Sequence, residues 1–454
     1  MTPDRIVILN DLSRPLGGAS ALAVASARAF VARGHAVTFL AGDHADLLPG
    51  VATVSLGQPR LLDRPPLSAL VDGLWNRAAA RMVRDWIATH DTPGTVYHLH
   101  GWSQILSPSV LAALAPVRAR LVISAHDFFL ACPNGAFADL RTGAVCHRTP
   151  LGGACLAAAC DRRGRAHKLW RLARAAVQRL ALDPAKMPPI LAIHEGMRPF
   201  LRRAGIPDAA IHALPNPVVP FSQQRIRAEL NREVLFVGRL EETKGPDLAL
   251  EAARRAGVPI TVVGDGAMAQ VLRRRWPEAR FTGRLAPDRI GALARRARLL
   301  VMPSRYPEPF GLVATEALRS GLPVVLPPSA LLAADIQRVG AGLAVDPRDT
   351  PAFAAALRRL DEDDAMVAGM SEAAFTRTAD LALSPDGWID ALLGHYAARL
   401  ALSRTPAHGQ APDQASPGST VMTTGACRAA EAAPRPIGMT PGDHARRSSS
   451  PSGR

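Results

Sequence analysis

PSRYPEPFGLVATEALRSGLPVV, residues 303–325, follows the apolar run ARLLVMPS (297–304) and leads into LPVVLP (322–327). The outer runs read as strands. Pro307 and Pro309 hold Glu308 in a loop between them, because proline lacks a backbone donor and pushes its predecessor toward extended backbone. A helix is expected from near Gly311 to Arg319 or Ser320, with Gly321 as its stop. Strand, helix and strand in succession form the unit of a parallel sheet, whose ligands bind beyond the carboxyl ends of the strands.

Seven residues separate Glu308 from Glu316. Paired carboxylates are one signature of a glycosidase. Here the helical rise and the loop set them on the order of 10 Å apart. That spacing favours neither a shared proton nor a short nucleophile–acid gap. It suits a grip on two ends of an extended ligand, with an anion near the free N–H groups of the helix start. A nucleoside diphosphate sugar, with sugar, pyrophosphate and ribose in line, has this layout.

The strand–helix pattern extends both ways. RIVILN (5–10), HAVTFLAG (35–42), TVYHLHGW (95–102), RLVISAHD (120–127), ILAIH (190–194) and IHALPNPV (211–218) read as strands of a first half. EVLFVGRL (233–240), PITVVGDG (259–266), ARFTGR (279–284), the two runs above and GLAVD (342–346) read as strands of a second. DLALEAARRAG (247–257) fits a helix capped by Gly257. The expected fold class is α/β, with two doubly wound parallel sheets. Residues 1–215 and 216–383 form its two domains, and residues 384–402 a last amphipathic helix. The segment 403–454, rich in Pro, Ser, Gly and Ala, is expected to be disordered.

The second half carries further chemistry. FVGRLEETKGPDLAL (236–250) places Arg239 at a strand end and Lys244 before a helix, as pyrophosphate binding needs. VVGDGAM (262–268) is a glycine-rich turn that admits a ligand close to the backbone. Taken in order, GRLEETKG, VVGDG, FTGRL and EPFGLVATEALRSGLPVV resemble the retaining glycosyltransferases of the GT-B fold, family 4, whose two Rossmann-like domains face each other.

The resemblance implies roles. Glu308 would contact hydroxyls of the donor sugar, the backbone at Phe310, Gly311 and Leu312 would hold sugar and phosphates, and Glu316 would bind the ribose. Arg239 and Lys244 would neutralise the leaving diphosphate. Gly17 and Gly18, after the first strand, match the family's glycine loop, and His126, followed by Asp127, matches its strand-end histidine near the reacting sugar. An imidazole there is expected to bind a sugar hydroxyl and to shift charge near neutral pH. His98 is read as structural. The 384–402 helix would pack back on the N-terminal domain, as in relatives. The chemistry implied is retaining, metal-independent transfer from a nucleotide-diphosphate sugar to a glycan or lipid-linked acceptor, in the synthesis of cell-surface polysaccharide or glycoconjugate. No cofactor is required and no Asp-x-Asp metal motif lies beside the donor site. The alternatives are a nucleotide-sugar epimerase of the same shape and a silent sugar-nucleotide-binding scaffold. A dinucleotide oxidoreductase is disfavoured, since no G-x-G-x-x-G follows the first strand.

Four of the five cysteines, Cys132, Cys146, Cys155 and Cys160, fall in an insert spanning 131–160. Buried reduced thiols and a structural zinc are the two readings, the spacing lacking any Cys-x2-Cys pair. Cys427 is read as free. The net charge of +15 comes almost wholly from arginine. A solvated surface is the plain reading, and affinity for polyanions or an anionic membrane face the sharper one. No nucleic-acid partner is expected. RRGRAHKLWRLARAAVQRL (162–180) is basic and has Leu169, Trp170, Leu172 and Val177 at near-helical spacing, which fits packing on its own domain or contact with a membrane. With no signal sequence or membrane-spanning run visible, a cytoplasmic protein is expected, with peripheral contact at the inner membrane face left open.

Overall fold

The computed structural model describes residues 2–44 and 48–404. The segment from 405 onward, with Cys427, lies outside the described residues. Two all-parallel sheets organise the rest. The first contains β1 (Arg5–Asn10), β2 (Ala36–Ala41), β3 (Ala52–Ser55), β4 (Thr95–Leu99), β5 (Leu121–Ala125), β6 (Ile190–Ala192) and β7 (Ile211–Ala213), in the order β3-β2-β1-β4-β5-β6-β7. The second contains β8 (Glu233–Val237), β9 (Ile260–Val263), β10 (Arg280–Gly283), β11 (Ala297–Val301), β12 (Val324–Leu326) and β13 (Gly342–Ala344), in the order β10-β9-β8-β11-β12-β13. Each sheet reverses its winding between its central strands, at β1/β4 and β8/β11, which is where open α/β sheets bind ligands.

The central strands are nearly continuous apolar runs because helices cover both their faces. Ile6, Val7, Ile8 and Leu9 of β1 are fully buried, as are Leu300 of β11 and Val324 of β12. Every expected strand is present, though several end two or three residues earlier and β7 five residues earlier. The sequence reading missed β3, ATVS, a four-residue edge strand with no buried residue and therefore no hydrophobic signature.

After β7 the chain crosses to the second sheet and later returns beside its own path. The Val218 amide donates to the Leu383 carbonyl at 3.0 Å, and Pro217 bridges Leu383. Ser384 then starts the final helix, Pro385–Arg404, its hydroxyl accepting from the Gly387 amide at 3.1 Å. Trp388, Ile389, Leu392, Tyr396 and Leu400 bury one stripe of that helix in a cluster with Ile6, Ile8, Val96 and Val122 of the first sheet. The last helix thus packs on the first sheet.

One polar bond fixes this packing. The fully buried His98 meets the Tyr396 hydroxyl through Nδ1 at 2.6 Å and Ser124 Oγ through Nε2 at 2.8 Å. Burial holds its pKa well below the ordinary histidine value, so the ring is neutral. Tyr396→Phe removes one partner and leaves a buried ring nitrogen unpaired. The expected loss is about 1–3 kcal/mol, measured by denaturant unfolding.

Candidate active site

Glu308 lies in the loop after β11, as expected, and the helix beyond it spans Leu312–Leu318 with Gly311 as a left-handed N-cap. The carboxylate does not stand alone. Lys244, from the turn after β8, donates to Glu308 Oε2 at 2.6 Å and to the Tyr306 hydroxyl at 2.9 Å. Ser304 Oγ donates to the same carboxylate oxygen at 3.1 Å. Burial pushes the Glu308 carboxyl up. The Lys244 ammonium and the hydrogen bonds from Lys244, Tyr306 and Ser304 outweigh it, so the pKa lies below the ordinary value. Burial likewise works against the Lys244 charge, and Glu308 more than offsets it. Both shifts point to an ion pair at neutral pH.

Glu316 behaves oppositely. It lies one turn into the helix, half-buried, and among the described residues no protein group donates to its carboxylate. Burial alone pushes its pKa up to about 7. Burial raises the one carboxyl while Lys244 and hydrogen bonds lower the other, which agrees with two separate tasks and not a shared proton. No side chain caps the helix start between them.

The glycine-rich turn after β9 packs on the loop after β8. Gly264 has φ 140°, and a Cβ there would lie 1.8 Å from the Gly238 carbonyl oxygen. Only glycine lets these two strand-end loops approach so closely. Arg239, at the same end of β8, points elsewhere: its side chain is 66% exposed and donates to Glu241 Oε1 at 2.8 Å. The structure thus brings Lys244 to Glu308 and leaves Arg239 outside that group.

The first sheet meets this site through its own strand ends. Gly17 (φ 102°) caps the helix Gly18–Ala32, and a Cβ at Gly18 would lie 3.3 Å from Leu312 Cδ1. The glycine loop and the Glu308 loop are therefore neighbours. Phe310 contributes more than backbone, since its buried ring belongs to the apolar cluster of the first sheet, with Phe128 and Leu130.

His126, after β5, stacks on His100 with rings 15° from parallel, and its Nε2 lies 2.9 Å from His100 Nδ1. Its Nδ1 is buried without a hydrogen-bond partner among the described residues. Burial pushes its pKa down to about 4. This corrects the expected charge shift near neutral pH: the ring stays neutral there, and its unused nitrogen serves as a hydrogen-bonding group. The residue that holds this end of the sheet was missed in the sequence. Buried Asp11, just after β1, accepts from the amides of Gln104, Ile105 and Leu106, each at 2.8 Å. It ties the loop after β4, and so the His100 end, to β1.

Residues 221–377 match the family described as glycosyl transferases group 1, and residues 16–220 match glycosyltransferase family 4. The chain belongs to this family. A glycogen synthase of Mycobacterium tuberculosis is 36% identical over 169 residues, which span 35% of this chain and 40% of that protein. A D-inositol 3-phosphate glycosyltransferase 1 of Catenulispora acidiphila is 27% identical over 87% of this chain and 96% of its own. Among solved structures, Anabaena HepE in complex with UDP shares the fold, with TM-score 0.60 at 16% identity, covering 87% of this chain and all of that one.

Within the family frame, the cysteine insert takes an unexpected place. Gly143 packs on the Arg305 carbonyl, and Arg348 donates to the Thr142 carbonyl at 3.1 Å, so the insert reaches the second sheet. Between them lies a cavity of about 290 Å³, lined in part by Gly143, Val145, Ser304 and Arg305. The insert's thiols are free, and Cys132, Cys155 and Cys160 are buried. Lys168 Nζ lies 3.1 Å from Cys160 Sγ and 3.7 Å from Cys155 Sγ. Among the described residues no three His, Cys, Asp or Glu side chains are grouped to hold a metal. The zinc reading therefore finds no ligand geometry here, and an ammonium occupies the place between two of the thiols.

Proposed function

We propose that this chain is a retaining glycosyltransferase that moves a sugar from a nucleoside diphosphate sugar to a glycan or lipid-linked acceptor. The observation that carries the reading is the pair of unlike carboxylates: Glu308, held ionised by Lys244, and Glu316, half-buried with no donor to its carboxylate among the described residues. A ligand with hydroxyls at both ends and a diphosphate between them supplies what each lacks. In this reading Glu308 and neighbouring backbone take the sugar, Glu316 takes the ribose, and Lys244 meets the diphosphate. Arg239 reaches it only by exchanging its exposed bond to Glu241 for one to phosphate. That a fold relative was solved in complex with UDP supports a nucleotide as ligand.

In the retaining step proposed here the acceptor hydroxyl attacks from the side the diphosphate leaves. A diphosphate oxygen takes the hydroxyl proton as the bond to the anomeric carbon breaks. Lys244 stabilises the negative charge that grows on the leaving group. Neutral His126 offers its unpaired nitrogen to a sugar hydroxyl. None of these steps is routed through a metal ion.

Thermal unfolding with UDP-, GDP- and ADP-sugars tests the reading. One base is expected to raise the melting temperature, since ligand at a hundredfold its Kd stabilises by about 2.7 kcal/mol. Product analysis with added acceptors then separates transfer from interconversion of free sugar nucleotide, as an epimerase would give. No shift with any sugar nucleotide at millimolar concentration would refute the assignment.

A further inference from the structure

The helix Pro66–Leu74 shows an inverted pattern. Its inward side is nearly bare: buried Gly73 sits on the Trp170 indole, where a Cβ would lie 2.4 Å from the ring, and Trp170 Nε1 donates to the Leu70 carbonyl at 2.9 Å. Its bulky side chains face solvent. Leu67, Leu70 and Val71, at i, i+3 and i+4, are 80%, 48% and 61% exposed, and Leu62 in the preceding turn is exposed as well. A helix of a soluble domain ordinarily buries that stripe. No other element among the described residues covers it.

The segments on either side of this helix are rich in arginine. Arg60 and Arg64 pair locally with Asp63 and Asp72. On the next helix, Arg77–His90, the exposed Arg77, Arg81 and Arg84 recur at i, i+4 and i+7 and have no ion pair among the described residues. Exposed Arg165 starts the helix Arg165–Ala181 that carries Trp170, exposed Arg163 precedes it and contacts His167, and neither helix has an acidic residue in its first turn, Asp85 being the exposed acid of the Arg77–His90 helix. Aliphatic side chains on an uncovered helix, with guanidinium groups exposed on the helix that follows it in the chain, match acyl chains beneath anionic headgroups. A second copy of this chain fits less well, because a two-fold contact would set the two arginine fringes against each other.

We infer that the Pro66–Leu74 helix docks on an anionic lipid surface, inserting Leu67, Leu70 and Val71 while the neighbouring arginines meet headgroup phosphates. Vesicle flotation of the full chain tests this without donor or acceptor, so it stands or falls apart from the glycosyl-transfer reading. Wild type is expected to float with vesicles of equal phosphatidylcholine and phosphatidylglycerol, to ignore phosphatidylcholine alone, and to lose affinity in high salt. Leu67→Ser/Val71→Ser, which changes only exposed positions, is expected to weaken partitioning about tenfold or more. Its thermal unfolding should match wild type. Failure of wild type to float overturns the inference, and so does flotation of the serine variant at wild-type strength, which would leave only a diffuse charge attraction. A wild-type dimer in sedimentation that the same variant splits would assign the stripe to a second copy instead.

Discussion

Lys244→Ala is expected to lower kcat by roughly 10²–10³-fold, while nucleotide affinity changes far less. Arg305, in the same loop as Glu308, is paired with Asp247, whereas the Lys244 ammonium lies 2.6 Å from the Glu308 carboxylate. In the ground state its charge is largely answered by Glu308, so it adds little to donor binding. As the diphosphate departs, charge grows within reach of Lys244, and the interaction strengthens in the transition state. Such an interaction appears in kcat more than in affinity. The substitution also leaves Glu308 in a buried site without its counter-charge, at a cost on the order of 3 kcal/mol.

Two controls separate catalysis from folding. In wild type the depressed Glu308 pKa contributes stability above the ordinary carboxyl range, and that contribution is lost as pH falls through the folded-state value. In Lys244→Ala only the Ser304 and Tyr306 hydrogen bonds still oppose burial, so this loss of stability in acid is expected to shrink. The double variant Lys244→Ala/Glu308→Gln removes the orphaned charge. It is expected to regain most of the lost stability and none of the lost turnover. Recovery of turnover along with stability would make Lys244 a structural residue.

Much of this arrangement is written in local sequence. Each sheet is legible because its buried strands are short apolar runs separated by helical periodicity, and the Glu308 loop because two prolines forbid regular structure there. β3 is not legible, since an exposed edge strand has no buried face to mark it. Pairing is harder to read than position. Lys244 and Glu308 lie 64 residues apart, and the turn that joins them depends on β8 and β11 being neighbours. Arg239 and Lys244 look alike in sequence, but the tight contact between Gly264 and Gly238 fixes a loop in which Arg239 faces solvent. Asp11 carries no motif at all. Its role arises only because β1 and β4 pair, bringing three amides of a distant loop to its carboxylate. The low charge state of His126 follows from burial, which a strand-end histidine in sequence does not reveal.

Glu316→Gln is expected to weaken nucleoside diphosphate binding by roughly 10–100-fold, because a hydroxyl donating to an ionised acceptor is worth about 1.5–3 kcal/mol. Glutamine keeps the shape and can still accept, so the loss reports charge and not volume. The pH dependence is the sharper test. Burial holds the free-enzyme carboxyl near a pKa of about 7. Ribose hydroxyls prefer the ionised acceptor, so binding expels a proton and wild-type affinity should climb between about pH 6 and pH 8. Stability of the free enzyme runs the other way. Ionisation of Glu316 is disfavoured in the fold, so stability declines as pH rises from the ordinary carboxyl range through about 7. Glu316→Gln should flatten that part of both curves. Phosphate titration of the ligand adds its own slope, but it does so equally for the two proteins, and the difference between their profiles isolates the carboxyl. Parallel binding profiles would mean that the nucleotide never reaches Glu316, and the ribose end of the proposed grip would have to be sought on another element.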